Sequence, residues 1–376
     1  MSQVCRVVDS LETLQGHRDG MARLAARPGA ASGIVQHPDW IAYEVASRSD
    51  GTRPHVILVC DAGGGVVGYA PLLAVGHVAR IDLGGRRMPV YRGPVLRLLG
   101  DDVVADDADR ERVGDAIAHH LAGDASVRVI RIQEAGLPSR FADRLAAAGL
   151  RIVAAHLRDQ VHWSIDPQPS SETWLGGMDR KKRTDLTQRV GRAYRKLGGD
   201  AALHTFDRAE DMREYARLMN EVYARTWHHA ALPIDWEAPA RVALFERLAA
   251  AGQLVGHVVL REGQPLAYVH GYRLGGTYLV DDLGYDEDVA KVGIGSVAVF
   301  QAIRALLDRF PGERISFGYG DNQYKRLLAT RAEACGSLYV VRSMPATLGF
   351  GAYRPLRWAY RRVYRLRAEW RVRRGK

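Results

Sequence analysis

The stretch from Leu254 to Phe310 leaves little choice of fold. LVGHVVLREGQPLAYVHGYRLGGTYLVDDLGYDED reads as three strands, Leu254 to Arg261, Leu266 to Arg273 and Thr277 to Leu283, joined by turn residues Glu262 to Pro265 and Leu274 to Gly276. The third strand is β-branched and aromatic until Asp286 to Asp288 break the run. Gly293 and Gly295, in AKVGIG, let the backbone turn sharply and expose its amides. From Ser296 onward Val299, Ile303, Leu306 and Phe310 recur at helical spacing, and Pro311 and Gly312 stop the helix. A strand that turns through glycine into a helix aims N–H groups and the positive helix end at any anion placed there. A phosphorylated ligand is therefore expected, although a pair of glycines alone also fits a plain turn. Arg314 to Phe317 then reads as a fourth strand and Asp321 to Ala329 as a further helix.

The spacing excludes two phosphate motifs: there is no GxxxxGK[ST], and no GxGxxG followed by an acidic residue about 20 residues on. What remains resembles the pyrophosphate loop of acyl-CoA N-acyltransferases of the GNAT superfamily, [QR]xxGx[GA]. Ala290 stands in the place of the first Gln or Arg, with Lys291 beside it as a substitute cation. The order of meander, glycine loop and helix, strand and helix is that of a GNAT core. The GYD element, the GxG helix and FGYGDNQYK resemble the branch containing the CelD/BcsL cellulose-biosynthesis acetyltransferases, relatives of the Fem-type peptidyltransferases. HPDW at 37 to 40 and YAPLL at 69 to 73 extend the resemblance into the first half, from about residue 36 to about 345. It implies an α/β layered chain of tandem GNAT-like domains, each a mostly antiparallel central sheet flanked by helices. The expected division is 1–165, a linker 166–173 (DPQPSSET), 174–350 and a basic tail 351–376. The first half lacks a glycine loop entering a helix, so it is assigned a supporting, substrate-shaping role.

The same resemblance implies acetyl-CoA or another acyl-CoA as co-substrate, held by Lys291, Val292, Gly293, Ile294, Gly295 and Ser296. Acyl transfer to an amine requires a base for the amine, polarisation of the thioester carbonyl and a proton for the departing thiolate. Asp281 and Asp282 lie on the strand feeding the loop and point to opposite faces, so one of them can line the cleft; Asp282 is preferred. His270 shares the Asp282 face if Arg273 pairs with Thr277, and the Asp281 face after a one-residue slip. Beside a carboxylate its cationic form is favoured and it could relay a proton; otherwise it is a half-buried strand histidine bonded to backbone. Tyr324 falls where many GNAT enzymes place a tyrosine that protonates the thiolate. Lys325 resembles the lysine of the aromatic-Lys pair of Fem-type transferases, an electrostatic stabiliser of the oxyanion. Asp321 is a helix-cap candidate. There is no GxSxG elbow to organise a hydrolase.

Three cysteines without metal spacing point to a reducing compartment and no zinc, and no apolar run reaches the roughly 20 residues that cross a bilayer. The first residues lack the apolar core of a signal peptide, so a cytoplasmic location is expected. Of the net charge of +10, residues 354–376 hold ten cations against Glu369, or +9, leaving a near-neutral body. If helical, this tail sets Leu356, Tyr360, Val363 and Trp370 against Arg357, Arg361 and Arg365, a pattern suited to the inner face of an anionic membrane. Nucleic acid is the less favoured partner, and a solvated helix docked on the body the plainer alternative. A second basic helix, Met178 to Leu197, either links the domains or turns some of its cations to an acidic substrate. The leading expectation is an acyl-CoA-dependent N-acyltransferase acting on an amine-bearing small molecule or a lipid-linked glycan or cell-envelope precursor. Its rivals are a Fem-type tRNA-dependent aminoacyl transferase, although no coiled-coil block is present, and a non-catalytic membrane-surface protein of polysaccharide biosynthesis.

Overall fold

The computed structural model describes residues 4–28, 33–83, 86–153, 160–198 and 200–342, together with Trp358 and Arg362. The chain divides into two compact units: Met1–Leu24, Ala30–Asp159 and Cys335–Lys376 form the first, Ala25–Gly29 and Gln160–Ala334 the second. This differs from a simple succession of halves, because the last strand leaves the second unit and pairs within the first. The stretch 166–173 is also no free linker: Ser170 caps the next helix, Ser171 bonds Asp308 through both its amide and hydroxyl, and the Gln168 carbonyl accepts from Gly312. The residues that made it read as a linker are the capping residues that helix starts require.

The first unit contains β1 (Val4–Val8), α1 (Leu11–Ala25), α2 (Pro38–Ala46), β2 (Arg53–Pro54), β3 (Val56–Cys60), β4 (Val66–Ala70), β5 (Leu72–Leu83), β6 (Arg86–Leu98), β7 (Val104–Ala105), α3 (Arg110–Gly123), β8 (Val129–Gly136), α4 (Arg140–Ala147) and β9 (Arg151–Val153). Strands β1, β3, β4 and β7 form one antiparallel sheet in that order. β5 and β6 form a long hairpin, and β6 continues in parallel onto β8. The apolar run of β3 is buried along its whole length, as expected of a strand covered on both faces. Val113, Ile117 and Leu121 of α3 and Phe141 and Leu145 of α4 close this core. The HPDW segment starts α2: His37 Nδ1 accepts from the Asp39 amide (3.2 Å), and the Asp39 carboxylate takes a two-point contact from Arg18 (2.7 Å each). Tyr69, from YAPLL, donates to the Gln36 carbonyl at 2.8 Å. The first motif thus ties the start of α2 to α1, and the second ties Gln36, the residue just before the first motif, to β4.

The second unit contains β10 (Gln160–Ile165), α5 (Ser171–Gly176), α6 (Arg180–Leu197), β11 (Ala202–Phe206), α7 (Met212–Ala224), α8 (Trp227–Ala231), α9 (Pro239–Ala250), β12 (Gly256–Arg261), β13 (Gln264–Leu274), β14 (Thr277–Tyr285), α10 (Ile294–Arg309), β15 (Arg314–Tyr319) and α11 (Gln323–Leu328), and β16 (Arg331–Val341) carries the chain back to the first unit, where it pairs with β8 and β9. The strand order is β11-β12-β13-β14-β15-β10, antiparallel except for β14 and β15. Ala267, Val269, Tyr278 and Val280 face α10, whose Ala298, Phe300, Ala302 and Ile303 fill one core. On the opposite face Tyr215, Trp236, Phe245 and His270 interlock in an aromatic cluster. Gly256 makes room for it, since a Cβ there would lie 2.1 Å from the Tyr215 ring.

The basic helix expected at 178–197 is α6, with the Asp179 side chain accepting from the Lys181 and Lys182 amides. Leu186, Ala193 and Leu197 are its buried stripe, and Asp185 pairs with Arg189 and Arg192 on the outside. Most of the basic tail lies outside the described residues; Trp358 is exposed, with the Arg362 guanidinium 5.2 Å from its ring centroid. Among the described residues no helix is long and apolar enough to cross a membrane.

Candidate active site

The site begins with a parting of strands. β14 and β15 pair only between Thr277–Leu279 and Arg314–Ser316. Beyond those three pairs β14 stays with β13 as far as Tyr285, while Tyr319 of β15 is paired with His162 of β10. The backbone from Val280 and the backbone from Phe317 therefore diverge into a wedge, with α10 starting at one side and α11 at the other.

The two glycines of the loop have different tasks. Asp286 ends β14 and caps a 3-10 turn, Glu287–Val292, by accepting from the Asp288 amide. Gly293 closes that turn onto the Ala290 carbonyl in a left-handed conformation (φ +80°) and is at once the N-cap of α10. No side chain caps α10. Gly295 has an ordinary φ, but a Cβ there would lie 2.6 Å from the Tyr285 ring, so it is the residue that lets the strand end pack on the helix start. Lys291, Gly293 and Ser296 are exposed, Val292 is half-buried, and the Ile294 side chain is fully buried in the core, leaving its backbone as the part that can face a ligand. Behind a left-handed glycine, the first-turn amides of α10 are left without a side-chain cap.

His270 does not behave as a proton relay. It is fully buried, its Nδ1 is 3.0 Å from the Tyr215 hydroxyl, and Nε2 has no hydrogen-bond partner. Burial, helped by the charge of Arg241, lowers its pKa to about 3, so the imidazole is neutral where a relay would need it to exchange protons. The expectation of a carboxylate-stabilised cation fails because burial and the charge of Arg241 both disfavour the protonated ring. Its cross-strand partner is nonetheless Asp282. Leu274, not Arg273, pairs with Thr277, which on a regular ladder would have brought Asp281 opposite His270; a bulge between the His270 and Gly271 pairs takes up Asp281 and restores Asp282.

Asp282 is half-buried and its Oδ2 accepts from Tyr268 at 2.7 Å. Its charge reaches Tyr215, Tyr223, Tyr268 and Tyr324, in each of which burial is the larger cause of a raised phenol pKa. Asp282 and Tyr324, candidates from opposite sides of the wedge, thus share one electrostatic environment. Tyr324, the second residue of α11, stands edge-on to Phe317 at 6.0 Å. Its raised pKa keeps it a neutral hydrogen-bond donor at physiological pH.

Lys325 is buried, with Nζ donating to the carbonyls of Phe317 (2.6 Å) and Tyr319 (2.9 Å). Gly318 (φ +63°) and Gly320 (φ +100°) alternate with these residues in FGYGD, a left-handed pattern that accompanies two carbonyls turned to one ammonium. Lys325 therefore fixes the end of β15 at the wedge. Replacing it with methionine is expected to destabilise the protein by on the order of 2–3 kcal/mol, because two carbonyls lose charge-assisted partners. A denaturant midpoint matching the wild type would show that this clamp is dispensable. Asp321 pairs with Arg326 instead of capping α11, whose N-cap is Asn322.

Sequence reasoning missed Tyr268, Tyr223 and Arg225. Arg225 pairs through Nε with Asp286 (2.9 Å) and donates from Nη2 to the Pro265 carbonyl (2.7 Å), tying the end of α7 to the start of β13 and to the glycine turn. The Asp of the GYD element was the available signal, since a buried carboxylate needs a cation nearby. Tyr268 stands opposite Gly284 in the ladder, and an aromatic residue facing glycine was readable only once the register was known.

Residues 180–326 match the family of acetyltransferase (GNAT) domains, a span running from α6 into α11 that includes the glycine turn, Asp282, Tyr324 and Lys325. No curated protein is similar in sequence at a significant level. Among solved structures the chain is similar to FemX, at 12% identity over 92% of this chain and 99% of that one, with a TM-score of 0.60. It is also similar to a conserved protein of unknown function from Bacteroides thetaiotaomicron VPI-5482 (12% identity, 90% and 100% covered, TM-score 0.58). A third is the C-terminal domain (DUF2156) of a predicted lysylphosphatidylglycerol synthetase from Agrobacterium fabrum (13% identity, 89% and 94% covered, TM-score 0.56). At such identities the likeness is one of fold. Residues 180–326 of the second unit thus match a GNAT-type acetyltransferase domain, within a mixed α/β chain of mostly antiparallel sheets flanked by helices.

Proposed function

We propose that the protein is an acyl-CoA-dependent N-acyltransferase, of the CelD/BcsL type and most readily an acetyltransferase, whose acceptor is an amine on a small molecule or on a glycan or cell-envelope precursor. The observation that carries this reading is the uncapped start of α10 behind left-handed Gly293, set beside a wedge that holds Asp282 and Tyr324. Acyl-CoA supplies the thioester, and its diphosphate suits the amides at the start of α10 with Lys291 nearby. Asp282 takes a proton from the acceptor ammonium and releases it to solvent; the amine nitrogen bonds to the thioester carbon and gives its second proton to Asp282 as the amide forms; the C–S bond breaks, and the thiolate receives a proton from Tyr324. The loss at Tyr324 is made good from solvent.

Calorimetric titration with acetyl-CoA tests the first step. Gly293→Asp should weaken binding by about tenfold or more, because it sets a carboxylate beside the diphosphate. Absence of binding by the wild type, or equal binding by the variant, would refute the reading. The likeness to FemX across nearly the whole chain favours one other reading, transfer of an aminoacyl group. Salt-sensitive tRNA binding without CoA binding would replace the first reading with this one.

A further inference from the structure

We propose that Tyr268 is the positioning residue for Asp282, its phenol setting the plane and the protonation behaviour of the carboxylate that receives the acceptor's proton. The inference rests on the reading of Asp282 as base and assigns it the partner that His270 does not provide. The Tyr268 hydroxyl donates to Asp282 Oδ2 at 2.7 Å, two residues along the β13 face from His270. The location is built for it. Tyr268 is 1% exposed, its ring is edge-on to Trp236 at 6.0 Å, and its cross-strand partner is Gly284, where a Cβ would lie 2.4 Å from the ring. Any side chain at 284 would push the phenol off the carboxylate. The bulge at Asp281 completes the arrangement, because without that extra residue Asp282 would point to the α10 face of the sheet.

A carboxylate that accepts a phenol hydrogen bond has its charged form favoured. Burial keeps the phenol protonated, so it remains a donor throughout the working pH range. Asp281 adjoins Asp282 on its own strand, and the charge of Asp282 also reaches Tyr215 and Tyr223 from α7 and Tyr324 from α11; Arg241 of α9 lies further round, where its charge reaches Tyr223 and His270. His270 itself is neutral and bonded to Tyr215. Each of these is unaltered by Tyr268→Phe, which removes one oxygen from a ring held by its surroundings.

The test is the pH profile of kcat/KM for Tyr268→Phe with Asp282→Asn alongside. Loss of the phenol should move the acidic limb to higher pH by about one unit and lower kcat/KM near tenfold on that limb, with KM for acyl-CoA unchanged. Gly284→Ala, which displaces the ring and keeps the hydroxyl, should move the limb the same way. Carbon-13 titration of the Asp282 carboxyl reads the same shift without turnover. An equal loss at every pH, with an unmoved limb and an unmoved carboxyl titration, overturns the inference while leaving Asp282 as base. Wild-type activity in Asp282→Asn overturns the base assignment and the inference with it.

Discussion

Asp282→Asn is expected to lower kcat/KM at neutral pH by about 10²–10⁴, with little change in the KM for acyl-CoA. The substitution preserves shape, and the amide oxygen can still accept from Tyr268, so the wedge should stay intact while the group that takes the proton is lost. The neighbouring carboxylate provides the contrast. Asp281 is the extra residue of the bulge and is exposed, so Asp281→Asn should change the rate only a few-fold. Steady-state kinetics of both variants against one amine acceptor decide the matter. A loss under tenfold in Asp282→Asn, or a larger loss in Asp281→Asn, would mean that the bulge has brought the wrong carboxylate into consideration.

That choice between adjacent aspartates shows where the sequence stops being legible. The meander, the glycine turn and the helix were readable because turn residues, β-branched runs and helical spacing are local signals. The register was not, because one bulged residue reverses the facing of everything beyond it, and nothing in LVDDLGY marks which aspartate is extra. His270 was misjudged for a related reason: YVHGY has the pattern of a strand, but its complete burial depends on α7 and α9, whose Tyr215 and Phe245 come from distant parts of the chain. Lys325 was legible as an unusual residue. That its ammonium holds carbonyls of FGYGD became visible only through the left-handed glycines. The two loop glycines likewise share a motif and divide its work, one by conformation and one by clearance. The return of the chain to the first unit escaped composition, since the β16 pairing with β8 is long-range.

Burial of histidine gives the other large expected effect, on stability. His270, His257 and His37 have pKa values lowered by burial to about 3, about 4 and about 4, from an ordinary 6.5. Each accordingly stays neutral in the folded protein at pH values where the unfolded chain binds a proton. Stability contributed by a depressed histidine is fully present above pH 6.5 and is lost as pH falls from there toward the folded pKa, at about 1.4 kcal/mol per unit for each group. At pH 5 the three together should have removed on the order of 6 kcal/mol, comparable with the whole stability of many domains. Asp102 works in the other direction: burial raises its pKa, so it regains part of the loss as pH falls. In structural terms, a proton on His37 Nδ1 would abolish the acceptor for the Asp39 amide at the start of α2. A proton on His270 would place a charge among Phe245, Trp236 and Tyr272. Urea unfolding at pH 7 and pH 5, with the protons taken up on unfolding measured at each, should show a much lower midpoint at pH 5 and an uptake approaching three protons. Equal midpoints would mean that these imidazoles are reached by water in the folded protein, and that the aromatic cluster around His270 is looser than its packing indicates.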